Sequence, residues 1–356
     1  MGSIPKTSNF FKDRATFGFD IGHGSLKVMQ IDTSGRKPRM IGYGTATFNA
    51  DAIKDGVIID HETIAKATLR LFQTGLIGDV TTNRVVIAIP SYRTFTRSST
   101  LPPLDLNELK EAVELDAEQY IPLPLEELYL DYSVTSQSKE KTDLFVAAVP
   151  RNIVDSQLEL MQTLGLETVG VETTIDAASA LFTYDEQSDI PAVLIDFGSL
   201  SADITIYDKQ TLVTGTISGG GTNFTDLIRT KLGVSQAEAQ IIKTKYGLGP
   251  SRKQAEIVEA IEPILNQLVK EVRRMIRYCE ERYGSKRAIT QVITLGGGAN
   301  MPGLSEYLTN SLRLATRACD PWSYIDTSGF QAPATADKPM FATVMGLSLV
   351  SAKGLF

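Results

Sequence analysis

Imidazole and thiol groups are almost absent from this chain. Among 356 residues there are two histidines, His23 and His61, and two cysteines, Cys279 and Cys319. A zinc site of the usual Cys/His kind therefore lacks ligands, and no more than one disulfide can form. Reduced thiols are the expectation for such a composition. No stretch approaches the ~20 apolar residues that a membrane-crossing helix needs. The opening segment, MGSIPKTSNFFKDR, carries basic residues but no apolar signal-peptide core, so the expected location is the cytoplasm. Positive charge is also in deficit. With 35 Lys and Arg against 42 Asp and Glu, the net charge is −7, which gives a nucleic-acid partner no electrostatic support. The phosphate-loop pattern G-x-x-x-x-G-K-[ST] is missing as well.

What is present suits an ordinary globular protein, 42% hydrophobic and 22% charged, and long enough for two lobes. After a polar arm, FGFDI, the turn GHGS and LKVMQID read as strand, turn, strand. A third strand is expected near Met40–Phe48, a helix from about His61 to Gly75, and a buried strand in RVVIAIP. Between Ser91 and Gly170 the texture changes. An acidic helix begins near Asp105, with Glu108 as its capping-box partner, and stops before Pro122. LYLDYSV and DLFVAAV read as strands, and a second helix covers about Asn152–Leu164. Two strands and two helices here predict a small inserted subdomain.

The second half then opens as the first did. At an offset of 176 positions, Asp20 falls on Asp196, Gly22 on Gly198, Ser25 on Ser201 and Asp32 on Asp208. A lone D-x-G hairpin is usually only a turn. Two copies, each followed by further strands and helices, predict related lobes facing one cleft. Such turns can present successive backbone N–H groups to an anion. Gly22 and Gly24 allow close approach, Ser25 adds a hydroxyl, and Lys27 adds charge. His23 either faces the phosphates or is an exposed turn histidine. Asp20 and Asp196 offer hard oxygens for Mg²⁺, or accept hydrogen bonds from their own turns. LGGGAN (295–300) offers a flat backbone platform for a purine or sugar, or a plain strand–helix turn. GGGTNF (219–224) places a glycine turn at a helix start, where the dipole favours anions. A long helix from about 252 to 283 is expected to bury Ile257, Ile261, Ile264, Leu268, Val272, Met275 and Cys279 on one face.

DIGHGSLK (20–27), DFGSLSADIT (196–205) and LGGGAN match, in order and spacing, the two phosphate loops and the adenosine loop of the actin superfamily. EAVELDAEQYIPLPLEELYLDYSV (111–134) resembles the hallmark segment of the PilM family within it. The resemblance implies an α/β, actin-like (ribonuclease H-like), duplicated two-lobed fold with a small FtsA-type 1C insert. It implies a flexible arm at 1–14, a first lobe at 15–90 and 171–190 with the helix 339–353, an insert at 91–170, and a second lobe at 191–338. The implied cofactors are ATP and Mg²⁺, with the metal at Asp20 and Asp196. Nucleotide contacts would come from Gly22, His23, Gly24, Ser25, Lys27, Gly198, Ser199, Ser201, Gly219, Gly220, Gly221, Lys243, Gly296, Gly297, Gly298 and Asn300. Glu172, in GVETTIDAASA, would begin the connecting helix beside the hydrolytic water, with turnover at most slow. Gln240 stands where relatives often carry Glu. The implied role is that of an assembly adaptor gripping the cytoplasmic tail of a PilN-like membrane protein, with contacts to other pilus inner-membrane proteins and self-association. The other readings of the same fold are a small-molecule kinase and an FtsA-like division filament. The tail GLSLVSAKGLF has a single Lys and lacks the basic amphipathic anchor of FtsA.

Overall fold

The computed structural model describes residues 15–183, 190–284 and 288–353. The expected arm at 1–14 lies outside the described residues. FGFDI forms the fully buried strand β1 (Phe17–Ile21), which turns into β2 (Ser25–Asp32) and then β3 (Arg39–Thr47). A small hairpin, β4 (Ile53–Lys54) and β5 (Val57–Ile58), precedes α1 (His61–Arg70). Helix α1 starts where the Asp60 carboxylate accepts the Thr63 N–H at 3.0 Å. After β6 (Ile77–Gly78), β7 (Arg84–Ile89) runs parallel to β1. Its unbroken apolar sequence has a direct cause: both faces are covered. Val85 and Ile87 pack with Leu160 and Met161, while Val86 and Ala88 pack with Ala177 and Leu347.

The insert contains β8 (Phe95–Leu101), α2 (Leu106–Glu118), β9 (Leu128–Gln137) and β10 (Thr142–Pro150). Its three strands form one antiparallel sheet in the order β8-β10-β9, against which α2 buries Leu109 and Val113. The expected capping box is in place. Glu108 N–H donates to Asp105 Oδ1 at 3.0 Å, and Asp105 N–H to Glu108 Oε2 at 3.1 Å. Two features depart from the expectation: the insert has a third strand, and its second helix packs elsewhere. Helix α3 (Arg151–Thr163) buries Leu160 and Met161 with Phe17 and Phe19 beneath the first sheet. The next strand, β11 (Glu167–Thr173), pairs with β7 in that same sheet. The insert's own body is thus residues 95–150.

Helix α4 (Thr174–Ala180) leads to the second lobe, which repeats the first. Strands β12 (Ala192–Phe197), β13 (Ser201–Tyr207) and β14 (Thr211–Ser218) form a meander. Helices α5 (Gly221–Leu232), α6 (Gln236–Lys245) and α7 (Gln254–Tyr283) follow. Then come β15 (Gln291–Leu295), α8 (Leu304–Leu312), β16 (Ala315–Ala318) and α9 (Ala342–Lys353). The first sheet runs β11-β7-β1-β2-β3-β6 and the second runs β16-β15-β12-β13-β14. Reading each from its parallel edge gives the same connectivity, so the repeat in sequence is a repeat in topology. Helix α7 covers the second sheet with Ile257, Ile261, Leu268, Val272, Met275 and Cys279, and Ile264 is partly buried beside them. An aromatic cluster of Tyr43, Trp322 and Phe341, with ring centroids 4.7 to 5.6 Å apart, ties β3 to the chain segment before α9.

Candidate functional site

The two D-x-G hairpins close in the same way. Gly22 N–H donates to Ser25 O at 2.8 Å, and Gly198 N–H donates to Ser201 O at 3.0 Å. Both turns line one cleft of about 900 Å³ between the lobes. A cavity of that size is at the upper end of those that hold small ligands and cofactors. In register, Asp20 lies opposite Lys27 and Asp196 lies opposite Asp203. These pairs are equivalent under the repeat, yet they differ in charge. In the first hairpin Lys27 Nζ donates to Asp20 Oδ2 at 2.9 Å, both side chains being buried. In the second, two carboxylates line the cleft, and Lys27 of the first hairpin acts on Asp196 only through space. Burial pushes the Asp196 carboxyl up to about 7, with Asp203 and Asp20 adding repulsion. Burial likewise raises Asp203 to about 6, although Thr216 Oγ1 donates to it at 2.6 Å.

The glycine turn after β15 passes directly over Asp196. A Cβ on Gly296 would sit 2.1 Å from Asp196 Oδ1, and its φ of +78° also disfavours a side chain. Gly297 faces open space, with nothing within 4 Å of where its Cβ would lie. Asn300 does not face a ligand freely; its Nδ2 donates to Thr335 O and Ala336 O at 3.2 and 2.9 Å. Lys243, on α6, donates to Gly221 O at 2.6 Å and to Thr225 Oγ1 at 2.8 Å. Among the described residues no carboxylate is hydrogen-bonded to its ammonium, and burial lowers its pKa to about 8 against the opposing pull of Asp226.

Most of the residues singled out in the sequence come together here. Asp20, Gly22, His23, Ser25 and Lys27 line the cleft from the first lobe. Asp196, Gly198, Ser199, Ser201, Gly221 and Lys243 line it from the second, with Gly296, Gly297, Gly298 and Asn300. Four do not. Gly24 packs behind its turn, where its carbonyl accepts the Phe48 N–H at 3.1 Å. Gly219 and Gly220 serve the packing of the second hairpin: a Cβ on Gly220 would lie 2.5 Å from Gly198 O. The N–H groups expected to meet an anion at the start of α5 are already used, Gly221 N–H on Gly198 O and Thr222 N–H on Ser199 O, both at 2.9 Å.

Glu172 is the larger correction. It is the last residue but one of strand β11, opposite Ala88, and helix α4 starts directly after Thr173, whose hydroxyl accepts the Asp176 N–H at 3.1 Å. Its carboxyl is pushed up to about 7 by burial and by Asp176 and Asp131, the latter on the insert. Glu172 is not among the residues that line the cleft. Asp203, Tyr92 and Gln157 line the cleft and were not singled out. The 176-residue offset, which carries Lys27 onto Asp203, was the signal available for the first of these.

A duplicated sheet with paired hairpins across a cleft, plus an insert between β7 and α3, is a specific architecture. The model of the family described as type IV pilus assembly protein PilM matches residues 18–352. The chain belongs to that family. Among solved structures, a PilM-PilN type IV pilus biogenesis complex is similar with a TM-score of 0.80 at 23% identity, covering 95% of this chain and 99% of that one. The ethanolamine utilization protein EutJ of Carboxydothermus hydrogenoformans is similar at TM-score 0.55 and 15% identity, covering 94% of this chain and 89% of that one. MreB 5 of Spiroplasma citri, bound to AMPPNP, is similar at TM-score 0.52 and 14% identity, covering 94% and 95%. Together these likenesses give this PilM-family chain the actin-like fold over nearly its whole length.

Proposed function

We propose that this PilM-family chain binds ATP with Mg²⁺ between its lobes and serves as an adaptor that grips the cytoplasmic tail of a PilN-like membrane protein. The observation that carries the nucleotide half is the pair of equivalent hairpins lining one cleft of about 900 Å³. The donor set fits the metal. Asp203 is buried and Asp196 half-buried, their carboxyls are raised to about 6 and 7, and a bound dication would relieve both their desolvation and their repulsion. Among the described residues no three ligating side chains form a closed metal site. That suits Mg²⁺, which keeps water and phosphate oxygens in its shell. Asp20 is held by Lys27, so this pair shapes the first phosphate turn and the second hairpin holds the metal. The open face over Gly297 is where a purine or sugar would pack, with Lys243 supplying positive charge.

The partner half rests on the solved PilM-PilN complex, whose likeness extends over the insert as well as both lobes. A second cavity of about 280 Å³, lined by Phe95, Tyr120, Asp176 and Thr214, lies where the insert meets both lobes. Among the described residues no helix is long and apolar enough to cross a membrane. Attachment to the inner face of the membrane, and contact with other pilus proteins there, would then run through partners. Calorimetry tests the reading directly. A PilN-like tail peptide should bind one-to-one, and Tyr120→Glu should abolish that binding with Mg-ATP affinity changed less than threefold. No peptide binding by the parent, with or without nucleotide, would contradict the adaptor role.

A further inference from the structure

Strand β13, SADITIY, alternates along its first six residues. Ala202, Ile204 and Ile206 enter one core with α7, and Ser201, Asp203 and Thr205 take the opposite face. Asp203 has a register partner on each side: Asp196 on β12 and Thr216 on β14. Side chains directly opposite in an antiparallel sheet share a face, so the ladder sets Asp196, Asp203 and Thr216 in one row. Within that row Thr216 Oγ1 donates to Asp203 Oδ1 at 2.6 Å. The first lobe repeats the ladder, with Lys27 of β2 opposite Thr45 of β3. There the threonine does something else: Thr45 Oγ1 donates to the backbone carbonyl of Leu26 at 3.0 Å. One residue type at one place in the repeat thus bonds backbone in the first copy and a cleft carboxylate in the second. Asp203 lines the large cleft, whereas Thr216 lines the smaller cavity at the insert. Thr216 therefore acts on the cleft through Asp203.

We propose that Thr216 is a positioning residue for the metal, its hydroxyl fixing the Asp203 carboxylate so that the second oxygen is left free as a ligand beside Asp196. This rests on the nucleotide reading above and deepens it. Asp203 is buried, and among the described residues no other group donates to its side chain. Without the hydroxyl the carboxylate is free to turn among the staggered wells of its χ1 angle. Binding must then order it, and a ligand ordered in advance avoids that loss. Outer partners that orient metal-binding carboxylates commonly contribute tenfold or more to metal affinity, roughly 10–100-fold. Lys27 already holds Asp20 in the first hairpin, so a threonine that held a carboxylate there would have no equivalent task.

The test uses the full chain with Thr216→Val, which keeps the shape and suits a strand while removing the donor, and Thr216→Ser, which keeps the hydroxyl. Calorimetry measures AMPPNP affinity in excess Mg²⁺ and again in EDTA. In Mg²⁺ the valine variant should bind more than threefold more weakly than the parent, and in EDTA within threefold of it. The serine variant should stay within threefold of the parent in both. Half-saturation by Mn²⁺ in the presence of AMPPNP, read by electron paramagnetic resonance, should rise in the valine variant alone. Valine-variant affinity within threefold of the parent in Mg²⁺ would overturn the proposal. So would a loss of equal size in EDTA, or one shared by the serine variant, since either would trace to the packing of β14 and not to the hydroxyl. A parent that binds no AMPPNP in Mg²⁺ would instead overturn the nucleotide reading on which this role stands.

Discussion

Lys27 and Asp203 occupy equivalent places in two copies of one hairpin, and their opposite charges make the two walls of the cleft unlike. The first wall carries a closed ion pair; the second carries two carboxyls held in part by protons. The sign of the resulting pH dependence follows. Asp196 titrates near 7 and Asp203 near 6 in the folded chain, against about 3.9 for an unperturbed Asp. Between pH 4 and 7 the folded state therefore holds protons that the unfolded state has released, so stability falls as pH rises through that window. Asp203→Asn removes part of this cost. Its Tm should exceed the parent's by a few degrees at pH 8 and match it near pH 4, without nucleotide, in a calorimetric scan. An equal difference at both pH values would remove the electrostatic account. The same logic sets the ligand response: Mg²⁺-dependent nucleotide affinity should rise from pH 6 to 8 as Asp196 ionises. This charge swap was readable, because the offset that pairs Asp20 with Asp196 also pairs Lys27 with Asp203. The place of Gln157 on the cleft wall was not, since it depends on what α3 packs against.

At the scale of elements, what was legible follows from how each one is buried. Strands β1, β7 and β12 are covered on both faces and read as continuous apolar runs, and the capping box of α2 is a local pattern of two residues. Strand β8 was not legible. FTRSSTL has apolar residues only at its ends, and it is held by backbone pairing to β10, a partner over forty residues away. Helix α3 was found but misplaced, because its amphipathic pattern shows that it buries one face without saying in which body. The boundary at Glu172 failed for a similar reason: Thr173 and Thr174 can each cap a helix, and only the pairing of β11 with β7 decides. The glycine turn after β15 gives a paired prediction. Gly296→Ala should lower Tm by several degrees, since its Cβ meets Asp196 and its φ is positive. Gly297→Ala has open space around it and should melt like the parent, yet bind Mg-ATP at least threefold more weakly because the methyl projects into the platform. Loss of folding in the second variant, or full affinity, would mean that this turn is not the floor of a nucleotide site.

For the whole molecule, the insert is tied to both lobes. It continues from β7 and into α3 on one side, and across the gap Ser98 Oγ donates to Leu212 O at 2.7 Å and Arg282 Nη2 to Thr100 Oγ1 at 2.9 Å. A ligand that draws the lobes together should therefore be felt in the insert. Hydrogen exchange with and without Mg-ATP should show added protection at 95–101 as well as at the two hairpins; protection limited to the hairpins would mean that the insert moves independently. All of this depends on the cleft being a nucleotide site. The most direct measurement is a thermal melt of the full chain and of Asp196→Ala, each with and without millimolar Mg-ATP at pH 8. At 100 times Kd, a ligand selective for the folded state adds about 2.7 kcal/mol of stability. The parent should melt several degrees higher with Mg-ATP, while Asp196→Ala should fold and show at most half of that rise. A parent melt unmoved by Mg-ATP, or an equal rise in the variant, would contradict the assignment of the paired hairpins to nucleotide and metal.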